Sequence, residues 1–155
     1  DMIDWLSTMM ESALVLLSPE AKAATFTSCF MHITSRLLNA VLLDRDVRMV
    51  NVNGLINFEL DITYLYQFAK SLQIEGMDGV FGQVRQTLAV VLSESISEYA
   101  LSPLARNQKF PQAQPTKVAS ILDKLVQYYT TQPGGTEAAS KRLREREMVA
   151  RLIRR

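Results

Sequence analysis

Val50-Asn51-Val52-Asn53-Gly54-Leu55-Ile56-Asn57-Phe58-Glu59-Leu60-Asp61-Ile62, continuing through Tyr64-Leu65-Tyr66-Gln67-Phe68-Ala69, joins a helix start to an apolar stripe. Leu55, Phe58, Ile62, Leu65, Ala69 and Leu72 recur at alternating steps of three and four, which puts them on one helical face that needs a partner surface. Asn53 is placed to cap this helix at Gly54, its side-chain oxygen taking a free backbone N–H. Asn57, Glu59, Asp61, Tyr64 and Gln67 fall largely off the stripe, so they form either plain solvated surface or a docking face.

The same spacing extends in both directions. Ile3, Leu6, Met9, Met10, Ala13, Leu14 and Leu17 predict a helix over 2–17, ended by Ser18-Pro19-Glu20, which supplies a cap, a first-turn proline and a first-turn acid for the next helix. That second helix is expected over about 19–43, with Phe26, Phe30, Ile33, Leu37 and Val41 on one stripe. The charged run Asp44-Arg45-Asp46-Val47-Arg48 breaks it, and the quoted helix follows, to about Leu72. Gly76 and Gly79 mark a turn, with Asp78 placed to cap a fourth helix through Val80, Val84, Leu88, Val91, Leu92, Ile96 and Tyr99. Ser102-Pro103 ends it. A polar loop over 107–115 leads to Pro115 in the first turn of a fifth helix, whose apolar side is Val118, Ile121, Leu122, Leu125 and Tyr128 or Tyr129. Thr131-Gln132-Pro133-Gly134-Gly135 breaks the chain before a sixth, charged helix from about Thr136. No segment has a period of two, so the expected fold is all-α: an antiparallel bundle of five to six helices.

With 155 residues, 48% hydrophobic and 21% charged, the chain has the composition of an ordinary globular domain with one core. The expectation is a single helical subdomain over 1–155, of which 136–155 is the charged terminal helix. No apolar run approaches the roughly 18 residues of a membrane span. The chain opens on Asp1-Met2-Ile3-Asp4-Trp5, already in helical register, and stops inside a charged helix, which reads as a piece of a longer protein. One Cys cannot form an internal disulfide, and the polar, Lys/Arg-bearing helices suit the cytosol.

Residues that could carry chemistry are few. Cys29 and His32 are three apart on one helix, the minimum for a thiolate beside an imidazole, but both are expected to be packing residues. A zinc site needs more soft or imidazole ligands than one Cys and one His provide. Glu59 and Asp61 are two apart on a helix and diverge, so they make no acid/base pair. Asp44 and Asp46 belong to the mixed-charge connector. The Gly134-Gly135-Thr136 turn lacks the order of a phosphate loop and reads as a flexible linker. No catalytic, cofactor-binding or metal residue is assigned. Met2, Met9, Met10, Tyr64 and Tyr66 could line a protein-binding groove, although Met and aromatics at helical spacing usually fill cores. From Glu137 to Arg155 there are seven basic residues against three acids. Ala139, Leu143, Val149, Ala150 and Ile153 give this helix a packing face; Arg151, Arg154 and Arg155 are the candidate lipid contacts on its basic side. Nucleic acid is not expected as a partner, because no aromatic residue interleaves with the arginines.

The opening segment and the helices around it resemble the C-terminal region of the exocyst subunit Sec-fifteen, a vesicle-tethering family. The matching pieces are Phe30-Met31-His32, Asp46-Val47-Arg48 with Val50-Asn51, then Leu55, Phe58, Leu60, Asp61 and Ile62 before Phe68-Ala69. Pro115, Val118 and Ile121-Leu122-Asp123-Lys124-Leu125 resemble the family's penultimate helix, and the basic last helix fits its end. The resemblance implies a rod-like stack of helices and a non-enzymatic exocyst subunit without cofactors, which tethers secretory vesicles to the plasma membrane and meets both membranes indirectly. It also implies binding to a GTP-bound Rab GTPase and to the exocyst neighbour Sec-ten, and a cytoplasmic, peripheral location at sites of polarised secretion. Candidates for partner contact on the third and fourth helices are Glu59, Tyr64, Gln67, Gln83 and Arg85. Glu59 stands where the family often has Asn before Leu-Asp, and the Pro133-Gly134-Gly135 stretch is a further departure.

Overall fold

The computed structural model describes residues 2–93 and 96–154, with the side chains of residues 2, 10, 11 and 13 left out. Among these residues it is all-α, as expected: α1 (Met2–Ala13), α2 (Pro19–Leu37), α3 (Val52–Ser71), α4 (Met77–Leu92), α5 (Ile96–Leu101), α6 (Pro103–Lys109), α7 (Pro115–Thr131) and α8 (Thr136–Ile153). A π-helical stretch, Leu38–Leu43, continues α2 and buries Leu38 and Leu42. Eight helices therefore stand where five to six were expected.

Several helix starts follow the sequence. The Ser18 hydroxyl accepts the Ala21 amide at 3.3 Å with Pro19 in the first turn of α2, while Pro115 and Thr136 open α7 and α8. Other boundaries differ. α1 stops at Ala13, short of the expected Leu17. The cap of α3 is Asn51, not Asn53: its side-chain oxygen accepts the Gly54 amide at 2.6 Å, which brings Val52 into the helix and against the core. Asp78 does not cap α4. Gly76 precedes that helix with φ +83°, a conformation glycine takes without steric cost, and Asp78 sits in the first turn bonded to Tyr66 and Lys70. The helix expected to reach Tyr99 ends at Leu92, where the Ser93 amide donates to Ala89 O at 3.0 Å. Short helices α5 and α6 follow, and α6 takes up the start of the expected 107–115 loop.

Two helical hairpins carry the core. Leu55, Ile62, Leu65 and Ala69 of α3 are buried and Phe58 and Leu72 half-buried, so the stripe is a packing seam. Tyr66 meets Phe81 and Lys70 meets Asp78, pairs that step outward on either side of the 72–76 turn, so α4 runs back antiparallel to α3. Phe30 of α2 completes an aromatic cluster, its ring centroid 5.7 Å from Phe81 and 6.2 Å from Phe68. In the second hairpin Val118, Ile121, Leu122 and Leu125 of α7 are buried, and Asp123 accepts two hydrogen bonds from Arg146 of α8, at 2.8 and 3.3 Å. The expected linker is a turn in which Gly134 is exposed with φ +75° and Gly135 is packed. A Cβ on Gly135 would lie 2.1 Å from the Tyr129 carbonyl oxygen.

Partly buried polar links hold the hairpins together. Lys124 of α7 is buried and donates to the Asp44 carbonyl at 2.6 Å, fixing the 44–50 connector; burial lowers its pKa, against the attraction of Asp44. Lys117 donates to the Gln83 side chain at 2.7 Å, joining α7 to α4. In α8 the expected face is only partly right. Val149 is buried, but Leu143 and Ile153 are each 46% exposed, while Arg142 and Glu145 turn inward as an ion pair. Cys29 and His32, expected in the core, are both exposed. The fully buried positions of α2 are Phe30 and Thr34, and a helix that packs along one stripe leaves its other residues in solvent whatever their type.

Tyr99 of α5 gives the fold a pH dependence. Its ring is buried edge-to-face against Phe110, and its hydroxyl donates to the Ala113 carbonyl at 2.7 Å. Burial pushes its pKa up to about 12 from an ordinary 10.0, against a smaller opposite pull from Arg106. Because the unfolded chain ionises first, the stability contributed by this phenol is fully present below pH 10 and is lost as pH rises towards 12. The loss is about 2–3 kcal/mol, at about 1.4 kcal/mol per pH unit. Urea unfolding at stepped alkaline pH should show this slope in the native protein. Tyr99→Phe should remove it, at a cost of about 1 kcal/mol near neutrality for the unpaired Ala113 carbonyl.

Candidate partner-binding surfaces

The helix that carries the fold also presents an outward face. With Leu55, Ile62, Leu65 and Ala69 turned inward, Ile56, Leu60 and Tyr64 lie outside at intervals of four and are 42%, 51% and 62% exposed. Asn53, Asn57, Asp61 and Gln67 are exposed around them. A groove of about 770 Å³ runs beside this stripe, with Tyr64, Asp61 and Phe58 on one side and Ile3, Leu37 and Val41 on the other. Apolar anchors within a polar rim are the composition of a protein-docking patch.

The five candidate residues separate over this geometry. Tyr64 and Gln67 are exposed on the outer face of α3. Glu59 and Arg85 come together instead in a polar cleft between α3 and α4, with Thr63, Asp78, Gln86 and Lys109. Arg85 is held there, its guanidinium carbon 4.1 Å from the centroid of the Tyr66 ring, close enough for cation–π attraction. The Tyr66 hydroxyl donates to Asp78, and that bond, followed by the one from Lys70, holds the Asp78 carboxyl below its ordinary pKa. Gln83 lies away from both surfaces, half-buried and bonded to Lys117. Ile56 and Leu60 are not among the expected contact residues, although their four-residue spacing with Tyr64 is present in the letters.

Of the other candidates, Met9 is exposed on α1 and Tyr66 is half-buried in the aromatic cluster; the side chains of Met2 and Met10 lie outside the described residues. Arg151 and Arg154 are exposed on α8, and Arg155 lies outside the described residues. Among the described residues no three His, Cys, Asp or Glu side chains are placed to hold a metal ion, and no helix is long and apolar enough to cross a membrane.

The letters of the resemblance divide by role. Asp123 and Lys124 are structural, holding Arg146 and the 44–50 connector. Asp61 is exposed beside Tyr64. A family model described as exocyst complex subunit Sec15 C-terminal matches residues 1–124 of the 155. Comparison with curated proteins and with solved structures found no match.

Proposed function

The chain belongs to the exocyst complex subunit Sec15 C-terminal family, and from that premise we propose that it is the effector module through which this subunit engages a GTP-loaded vesicle Rab GTPase. Membership makes it part of a vesicle-tethering scaffold. The finer reading places the GTPase on the outer face of α3, with Ile56, Leu60 and Tyr64 as anchors and Asn57, Asp61 and Gln67 as rim. What supports it is that unpartnered apolar stripe on a helix otherwise locked into the core, because a rigid face loses little conformational freedom on binding. Contact with Sec-ten, a rod-like stacking of helices in the parent subunit, and a peripheral cytoplasmic location at secretion sites belong to the same proposal. In it the protein works by binding, and no residue is given a catalytic part.

The test is retention of nucleotide-locked Rab proteins by the intact parent subunit. The GTP-locked form of one of them should be retained in preference to its GDP-locked form. Tyr64→Ala should weaken that binding by about 2 kcal/mol, roughly thirtyfold, as expected of an aromatic anchor. Equal retention of both nucleotide forms, or undiminished binding by a Leu60→Asp, Tyr64→Ala double variant, would overturn the proposal.

A further inference from the structure

The cations of α8 divide into two groups. Arg142 is bound to Glu145 at 2.9 Å and to the Val91 carbonyl at 3.2 Å, and Arg146 is bound to Asp123, so both are used in the fold. Lys141, Arg144, Arg151 and Arg154 are exposed. At 100° per residue, Lys141, Arg144 and Arg151 fall within an arc of about 80°, with Arg154 about 60° beyond Arg151. This face points away from buried Val149. Exposed Glu137 and Glu147 share it and halve its charge, leaving an outward positive stripe on a chain of net charge only +1. α8 also lies beyond residue 124, where the family match ends.

We propose that this outward face of α8 rests on a membrane surface by binding anionic phospholipid headgroups. A headgroup layer suits the stripe because it offers many mobile negative charges and requires no shaped pocket. Leu143, at the edge of the stripe, adds an exposed apolar side chain at headgroup depth. Single-stranded nucleic acid suits it less, because α8 carries no aromatic side chain on which bases could stack. Few cations make a weak contact, useful where a tether already holds the protein near the bilayer. The inference is independent of the Rab reading, since it uses a different helix and a different chemistry.

The experiment is vesicle co-sedimentation of the 155-residue chain. Phosphatidylcholine vesicles are compared with vesicles in which about one-third of the lipid is phosphatidylserine. The chain should partition onto the anionic vesicles at least about tenfold more strongly, since each cation near such a surface is worth about fivefold before its acidic neighbours are counted. The preference should fall as salt is raised. Replacing Lys141, Arg144, Arg151 and Arg154 with Gln should abolish it. The same change at Lys22, Arg36, Arg45 and Arg48 alters net charge equally and should leave it. An Arg144→Gln, Arg151→Gln variant leaves two cations against Glu137 and Glu147 and should already lose most of it, so the result does not hang on the fold of the fourfold variant. No preference for phosphatidylserine, equal loss in the two fourfold variants, or tighter binding to single-stranded RNA than to vesicles would overturn the proposal.

Discussion

Phe81→Ala is expected to lower the free energy of unfolding by about 3–5 kcal/mol, a large part of the roughly 5–15 kcal/mol available to a domain of this size. Phe81 is fully buried, and its ring meets Phe30 of α2 and Tyr66 of α3 at centroid distances of 5.7 and 5.4 Å. Truncation therefore opens a cavity where three helices converge, and the edge-to-face contact with Tyr66 and the tilted one with Phe30 are lost beyond the area uncovered. The Tyr66 ring supports Arg85 on its face, so the cleft that holds Glu59 and Arg85 should loosen as well. Phe81→Leu keeps most of the volume and should cost less than half as much. Urea unfolding followed by circular dichroism separates the two variants; a loss below about 1 kcal/mol for Phe81→Ala would mean that this cluster is not the centre of the core.

What the letters revealed depends on whether the signal was local. Ser18-Pro19, Pro115 and the break before Thr136 carry their own chemistry, so the helices open there as read. Asn51 and Asn53 carry the same side chain two residues apart, and either could cap α3. The choice falls to packing, because only the earlier cap brings Val52 against the core. The end of α4 was illegible for a different reason. Leu88, Val91, Leu92, Ile96 and Tyr99 keep helical spacing across the break, while the group that satisfies the Val91 carbonyl is Arg142, 51 residues later. At the candidate surface, Tyr64 and Gln67 emerged from the stripe they fall outside, whereas Arg85 and Gln83 were drawn into contacts with Tyr66 and Lys117 that no periodicity announces.

Helix α8 illustrates the same limit from the side of charge. Read by composition, the seven bases and three acids of residues 137–155 form one basic tail. In the fold, Arg142 and Arg146 are partnered and Glu145 is buried, so the positive charge available to a partner is smaller and more one-sided than the count suggests. The family match ends at residue 124, within α7, yet α8 supplies buried Val149 and Glu145 to the same structure. The segment beyond the match is thus part of the fold, and two of its charged residues are among the places where the fold is easiest to break.

Glu145→Ala should accordingly cost about 3–5 kcal/mol, although an exposed ion pair on a helix contributes only a few tenths. The Arg142 and Glu145 side chains are 13% and 7% exposed, with Nη1 and Oε2 2.9 Å apart. Removing the carboxylate leaves a guanidinium largely out of water whose remaining partner among the described residues is the Val91 carbonyl, and a buried charge stripped of its counterion is costly. That carbonyl lies in the last turn of α4, where backbone acceptors have no partner within the helix and the dipole is negative, so Arg142 also caps α4 from across the chain. Glu145→Ala strains both roles. Replacing the pair together, as Arg142→Met with Glu145→Leu, removes the stranded charge and substitutes apolar contacts of similar volume, so the double variant should recover at least half of the loss. Part will remain, because the hydrogen bond from Arg142 to the Val91 carbonyl is lost as well. A double-mutant cycle in urea measures this directly: a coupling energy of at least about 1.5 kcal/mol is expected, and strictly additive losses would mean that the two side chains act independently.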